Sequence, residues 1–170
     1  REPYDLRARN AAVLDAVFDL LAGRPYVAIV DLACGTGSTF RALSPRISAR
    51  QTWRLVDHDV NLLARVPPSS SPSINVTTAS IDLSRDLEAA FDSKADLITT
   101  SALLDLVSND WLNRLAREVA ARRWPVYAGL SYDGRAELKP ADPIDRSIVD
   151  AVNRHQRTDK GFGRALGPSA

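Results

Sequence analysis

The run Tyr26-Val27-Ala28-Ile29-Val30-Asp31-Leu32, followed by Ala33-Cys34-Gly35-Thr36-Gly37 and then by Ser38 to Leu43, constrains this chain more than any other feature. Rich in β-branched residues and apolar at nearly every position, the run reads as a strand buried on both faces, which requires a sheet covered on two sides. Gly35 and Gly37 lack Cβ, so the backbone there can take unusual φ/ψ values and let a bound molecule approach. A helix opening at Ser38 presents unpaired N–H groups at its start. The unit is therefore a strand, a candidate ligand-binding turn and a helix. A G-x-G alone fits a tight structural turn equally well, so its meaning depends on what surrounds it.

What surrounds it is a regular alternation. Ala12, Val13, Ala16, Val17, Leu20 and Leu21 repeat at helical spacing from about Ala8, and Gly23 with Pro25 ends that helix, which should pack on something apolar. Further strands are predicted over 53–56, 74–78, 96–100 and 126–130, and helices over 60–66 and 84–91. Trp111, Leu112, Leu115, Ala116 and Val119 form an apolar stripe opposite Arg114, Arg117, Glu118 and Arg122. Ile144, Ile148, Val149 and Val152 make a last stripe before the glycine-rich stretch Gly161 to Gly167. This order predicts an α/β fold: a doubly wound, mostly parallel sheet with helices on both faces and ligands at the carboxyl ends of the strands. A single domain over 1–170 is expected, with an N-terminal helix region at 1–25, a core at 26–130 and a C-terminal helix and tail at 131–170.

Composition narrows the function classes. An apolar fraction of 45% and a charged fraction of 25% are near globular averages. Net charge is +1 with the charges scattered, so there is no electrostatic footprint for a polyanion, and nucleic acid is not an expected partner. The single Cys excludes an internal disulfide framework and a thiolate-rich zinc site, suits a reducing cytoplasm, and leaves no metal site to expect. No stretch reaches the roughly 18 apolar residues of a membrane span, and the beginning lacks a signal-peptide core. The chain opens on Arg1 and contains no Met, which leads us to expect that residues are missing at the start or at internal joins, the Pro67 to Ser73 stretch being one place for an abbreviated loop.

The identity of the ligand turns first on Phe40. A dinucleotide fingerprint G-x-G-x-x-G/A needs a small third residue, and Phe40 stands there, which disfavours NAD. No Gly-Lys-Ser/Thr follows either, so a P-loop is absent. Asp57 closes the second strand about 20 residues beyond Gly37, the place of a ribose-binding carboxylate that accepts from two vicinal hydroxyls. The alternative role of helix N-cap suits Asp59 better.

Asp31 to Gly37, Asp57 after the second strand and Ile81-Asp82-Leu83 after the third together resemble the class I, Rossmann-like methyltransferases that use S-adenosyl-L-methionine (SAM). The resemblance spans most of the chain. It implies that Asp31, Ala33, Cys34, Gly35, Thr36 and Gly37 hold the methionine part, that Asp57 and its neighbour His58 lie at the ribose or adenine, and that Asp82, flanked by Ile81 and Leu83, accepts from the adenine amino group. Thr99 to Asp105 resembles the family's fourth motif, which makes Ser101 and Ala102 cofactor neighbours. Ala33 stands where many members have glycine, and its methyl is tolerable if φ there stays below zero.

The implied activity is methyl transfer from SAM to O, N or C of a small or medium acceptor, leaving S-adenosyl-L-homocysteine (SAH). Two rivals stand beside it: an NAD-dependent oxidoreductase, and a noncatalytic interaction module that keeps the fold. Cys34 at a helix start could be a nucleophile, but no His is near it in sequence, and a small residue packed on the cofactor is the alternative. Acceptor-side candidates are Tyr4, Asp105, Tyr132 and the run His155-Gln156-Arg157-Thr158-Asp159-Lys160, which also fits a solvated helix end; no catalytic residue is assigned. The resemblance also implies two further strands after Gly163, for which only Arg164 to Ala170 remain. An open sheet edge invites pairing, so a homo-oligomer is compatible with the reading.

Overall fold

The computed structural model describes residues 2–170. Contacts group them into two compact units, one built from the residues up to Ser101 together with Glu118–Leu130, the other from Ala102–Arg117 and Ser131–Ala170.

The first unit carries the sheet. Its strands are β1 (Tyr26–Leu32), β2 (Arg50–Asp57), β3 (Ile74–Ser80), β4 (Leu97–Ser101) and β5 (Val126–Gly129). All pairings are parallel, in the order β3-β2-β1-β4-β5. Strand order runs outward from β1 to β3 and then restarts on the other side at β4, so the carboxyl ends of β1 and β4 flank a topological switch point. The expected doubly wound sheet is present, and it is parallel throughout.

Helices α1 (Glu2–Ala8), α2 (Ala11–Leu21), α3 (Ser38–Leu43) and α4 (Val60–Leu63) belong to the same unit. The helix expected from about Ala8 is present as α2 but begins at Ala11, because the Asn10 side chain accepts from the Val13 N–H at 3.2 Å and caps that start; the short helix α1 before it was not expected. The apolar stripe of α2 is only partly used. Val17 and Leu21 are buried, whereas Val13 and Leu20 are exposed and border a 330 Å³ groove beside β5.

Two further expectations are corrected. The helix over 60–66 stops at Leu63 and finishes as a turn, with Asp59 as its N-cap. Residues 84–91 form no continuous helix: Asp82 takes the Ser84 N–H and hydroxyl, and a 3-10 turn over Glu88–Phe91 follows. Leu83, Leu87, Ala90 and Phe91 are buried all the same, so turns deliver the apolar spacing that suggested a helix.

The core of this unit gathers around Trp53, which is fully buried and meets Phe40 edge to face at 5.2 Å between centroids. Gln51, two residues back on β2, accepts from Trp53 Nε1 at 2.8 Å and donates to the Ser44 and Ile47 carbonyls at 3.0 and 2.9 Å. A buried amide thus satisfies the indole N–H and the Ile47 carbonyl, which would otherwise be stranded, and adds a second donor to the Ser44 carbonyl that already accepts from the Ile47 N–H.

In the second unit α5 (Asn109–Arg122) begins and α6 (Asp145–Gln156) lies. Trp111 meets Phe162 edge to face at 5.4 Å, and Leu166 and Gly167 donate their N–H groups to the Val107 and Asp105 carbonyls. The final segment is thereby anchored on residues 105–111. Among the described residues no strand follows β5; an isolated antiparallel bridge joins Asp159 and Arg164. Among the described residues no helix is long and apolar enough to cross a membrane.

Gln51→Leu should lower unfolding free energy by about 2–3 kcal/mol, since it leaves the Trp53 indole N–H and the Ile47 carbonyl without their partner, while the Ser44 carbonyl keeps the Ile47 N–H. Urea denaturation measures this, and a loss below about 1 kcal/mol would remove Gln51 from that role.

Candidate functional site

The carboxyl ends of β1 to β4 bring most of the predicted residues to one edge. β1 delivers Asp31 and the turn Ala33 to Gly37; β2 ends on Asp57, followed by His58; β3 is followed by Ile81, Asp82 and Leu83; β4 ends on Ser101. A recess of about 470 Å³ lined by Tyr26, Arg50, Ser73 and Asn75 lies at the amino ends of β1 to β3, the wrong edge for a ligand of a parallel α/β sheet.

Asp57 organises this edge. Its Oδ2 accepts from the Gly35 N–H at 2.8 Å and its Oδ1 from the Asp59 N–H at 3.0 Å. The Asp57 carbonyl accepts from the Ile81 N–H at 3.0 Å, and the Val56 carbonyl from Cys34 at 3.0 Å. The end of β2 thus holds the glycine turn on one side and the Asp82 loop on the other. His58 projects outward, 80% exposed, with Nδ1 3.5 Å from Asp57 Oδ1.

Within the turn, Gly35 and Gly37 have φ of +55° and +81°, the left-handed region that glycine enters freely. Ala33 corrects an expectation: its φ is +52°, not negative. The methyl is tolerated at a conformational cost of about 1–2 kcal/mol rather than avoided. Ala102, just past β4, sits at φ +53° in the same way.

Asp31 is wholly buried. Its Oδ1 accepts from the Thr99 hydroxyl at 2.7 Å, while Oδ2 has no partner among the described residues. Burial pushes its carboxyl up to about 7, against the Thr99 hydrogen bond and the Arg9 charge, which pull it down. Burial likewise pushes the Cys34 thiol well above its usual range, with Asp31 and Asp57 adding to the effect. Cys34 is therefore a packed thiol, not an activated nucleophile. Asp82 is exposed, and the Ser84 hydroxyl and N–H hold its carboxyl below the usual carboxylate range.

Ser101 Oγ lies 2.9 Å from Thr39 Oγ1 on α3, linking the end of β4 to the helix after the glycine turn. Arg41 on the same helix donates to the Thr36 carbonyl and forms a bidentate pair with Glu2 at 2.7 and 2.9 Å, which ties α1 to the turn. Arg9, absent from the sequence reading, is a buried arginine in this region, bonded to Tyr127 and Thr39. Its partners stand 118 and 30 residues away, so no local pattern could mark it.

The acceptor-side candidates have local partners of their own. Tyr4 is 69% exposed with the Arg7 guanidinium over its ring. In the second unit, Tyr132 donates to Asn153 Oδ1 at 2.9 Å, and Asp105 is buried with Oδ1 lacking a partner among the described residues. His155 to Lys160 forms the end of α6 and the turn after it: His155 Nε2 lies 3.0 Å from Lys160 Nζ, and Asp159 accepts from the Gly161 and Gly163 N–H groups.

Comparison with solved structures bears on the fold. An O-methyltransferase family protein from Burkholderia thailandensis superposes with a TM-score of 0.51 over 98% of this chain and 49% of its own, at 13% identity. The fold is that of the class I methyltransferases. A cyclopropane-fatty-acyl-phospholipid synthase-like protein from Lactobacillus casei matches at TM-score 0.49, 16% identity, 81% of this chain and 59% of that one. A SAM-dependent methyltransferase from Mesorhizobium loti matches at 0.44, 24%, 72% and 48%. The chain thus spans about half the length of these methyltransferase-fold structures. No protein-family model matches it, and no curated protein matches its sequence.

Within this methyltransferase fold the Asp31 carboxyl makes stability depend on pH. Its folded value near 7 exceeds the roughly 3.9 of an unfolded chain, so the folded state binds the extra proton between these values. Stability from this group is full below about pH 4 and declines as pH rises to about 7, by on the order of 4 kcal/mol at about 1.4 kcal/mol per pH unit. Asp31→Asn, which keeps the Oδ1 acceptor for Thr99, should flatten that decline in urea titrations; an unchanged slope would contradict the assignment.

Proposed function

We propose that the chain binds SAM at the carboxyl edge of its sheet and transfers the methyl group to an O, N or C nucleophile on a small or medium acceptor. The observation that carries this reading is the Asp57 carboxylate, placed at the end of β2 with one oxygen on the N–H of the glycine turn. A carboxylate offers about four lone-pair sites, and Asp57 uses two on backbone N–H groups, which leaves acceptors for vicinal ribose hydroxyls. The unpartnered Oδ2 of buried Asp31 supplies a second fit, an acceptor waiting beside the turn.

In this reading the turn Ala33-Cys34-Gly35-Thr36-Gly37 and Asp31 hold the amino-acid part of SAM. Asp57 and His58 hold the ribose, and Asp82, between Ile81 and Leu83, reads the adenine amino group. Ser101 and Ala102 border the reactive end. The bound sulfonium supplies the electrophilic methyl group. What the chain's residues do is fix the donor's orientation and exclude water, and a general base is required only where the acceptor enters protonated and weakly acidic. No residue is assigned that role.

Phe40 separates this reading from NAD binding. Its ring is buried against Trp53, filling the position where a dinucleotide fold needs a small residue for close helix packing.

Calorimetric titration tests the proposal. SAH should bind and NAD should not, and Asp57→Ala should weaken SAH by about 1.5–3 kcal/mol, the range for hydrogen bonds to a charged group. Because Asp57 also holds Gly35, Asp57→Asn serves as the companion variant with an acceptor oxygen retained. Binding of NAD alone, or unchanged SAH affinity in folded Asp57→Ala, would overturn the reading.

A further inference from the structure

Arg9 lies between α1 and α2 and is only 7% exposed. Its Nη1 donates to Tyr127 Oη at 3.0 Å and its Nη2 approaches Thr39 Oγ1 at 3.4 Å. A guanidinium carries more N–H donors than these two partners use, so each Nη keeps an N–H that no described residue takes. Both acceptors are neutral hydroxyls. A buried cation is costly to keep unless something completes its coordination.

Arg9 is also a wall of a cavity of about 160 Å³ at the carboxyl end of β5. Ala8, Val13 and Leu130 make its apolar sides, Asn10 and Tyr127 add polar groups, and none of the described residues lining it is acidic. Asn10 is the N-cap of α2, so the positive end of that helix's dipole lies at the same cavity. Gly129 keeps the space open: a Cβ there would lie 3.2 Å from Arg9 Nη1 and 2.9 Å from Tyr127 Oη. Gly129 pairs in register with Ser101, and neighbouring strands run about 4.8 Å apart. The cavity therefore begins one strand away from Ser101, the residue at the reactive end of the donor in the proposed function.

Apolar sides, a buried cation short of acceptors and a helix start suit an anion carried on an apolar body. We infer that this cavity takes the carboxylate of the methyl acceptor, with the spare Nη N–H groups of Arg9 as its donors. The acceptor class is a small carboxylic acid, since a cavity of about 150 Å³ holds one six-membered carbon ring. The inference rests on the SAM reading above and deepens it by naming what receives the methyl group; the donor's own amino-acid end stays at the glycine turn. Tyr127 and Thr39 fix the guanidinium, and Thr39 Oγ1 lies 2.9 Å from Ser101 Oγ, so the acceptor's anchor and the reactive end of the donor are held by one hydrogen-bonded chain.

Benzoate and benzamide, alike in shape and different in charge, are the probes, and the amide shifts of the ¹⁵N-labelled chain are the readout. Benzoate should give saturable shifts at Asn10, Gly129 and Leu130 and bind at least about tenfold more tightly than benzamide, the lower end for a hydrogen bond to a charged group. It should bind as well with SAH present as without. Arg9→Gln should abolish the preference for benzoate, and Gly129→Ala, which fills the cavity, should weaken benzoate at least about tenfold while SAH affinity stays within about twofold. Equal wild-type affinity for the two probes, or benzoate shifts centred on Gly35 and Gly37, would overturn the inference. Displacement of benzoate by saturating SAH would assign the cavity to the donor and overturn it too. Failure of the chain to bind SAH while benzoate still shifts Asn10 and Gly129 would overturn the SAM reading and leave a carboxylate site standing. Should either variant fail to fold by circular dichroism, the wild-type probe pair and the SAH competition decide the question.

Discussion

The Asp57 carboxylate holds Gly35 N–H with one oxygen and Asp59 N–H with the other, and the carboxyl edge of the sheet is assembled on that pair of bonds. Asp59 in turn caps α4, and the Asp57 carbonyl receives Ile81 at the start of the Asp82 loop. Hydrogen bonds from N–H groups to an ionised, nearly buried carboxylate are among the stronger ones available to a chain. They allow a turn with three positive-φ residues, Ala33, Gly35 and Gly37, to hold one shape rather than sample several.

A second layer of polar contacts lies under the turn. Thr99 holds Asp31, Thr39 joins Ser101, and Arg9 reaches Tyr127 and Thr39. Buried polar networks are stabilising when every member is satisfied and costly when members are left over. Among the described residues Arg9 Nε and Asp31 Oδ2 are left without partners in this layer, as are Arg54 Nε on β2 and Asp105 Oδ1 in the second unit, while the Trp53 indole and the Gln51 amide are paired.

Much of this was legible from the sequence for a physical reason. A strand buried on both faces has to be apolar throughout, and a chain that turns at its end into a helix needs glycine at the left-handed positions, so β1, its turn and α3 are written in contiguous residues. Asp57 was legible because the spacing from one strand end to the next is set by the βαβ unit. Local reading failed where short-range hydrogen bonds compete with periodicity. Asn10 caps α2 and moves its start to Ala11, and Asp82 captures Ser84 and replaces a helix with turns. It failed altogether for Arg9, whose burial is decided by Gly129 and Tyr127 on β5, and for the backbone of Ala33, whose φ is imposed by the bonds that fix its neighbours Cys34 and Gly35.

The central claim is that the ligand enters at the carboxyl edge held by Asp57. Titrating the ¹⁵N-labelled chain with SAH and following backbone amide shifts tests it most directly. The account predicts saturable shifts at Gly35, Gly37, His58, Asp82 and Ser101, with Tyr26, Arg50 and Asn75 at the opposite edge unmoved. Shifts centred on those amino-edge residues, or no saturable shifts at all, would contradict it.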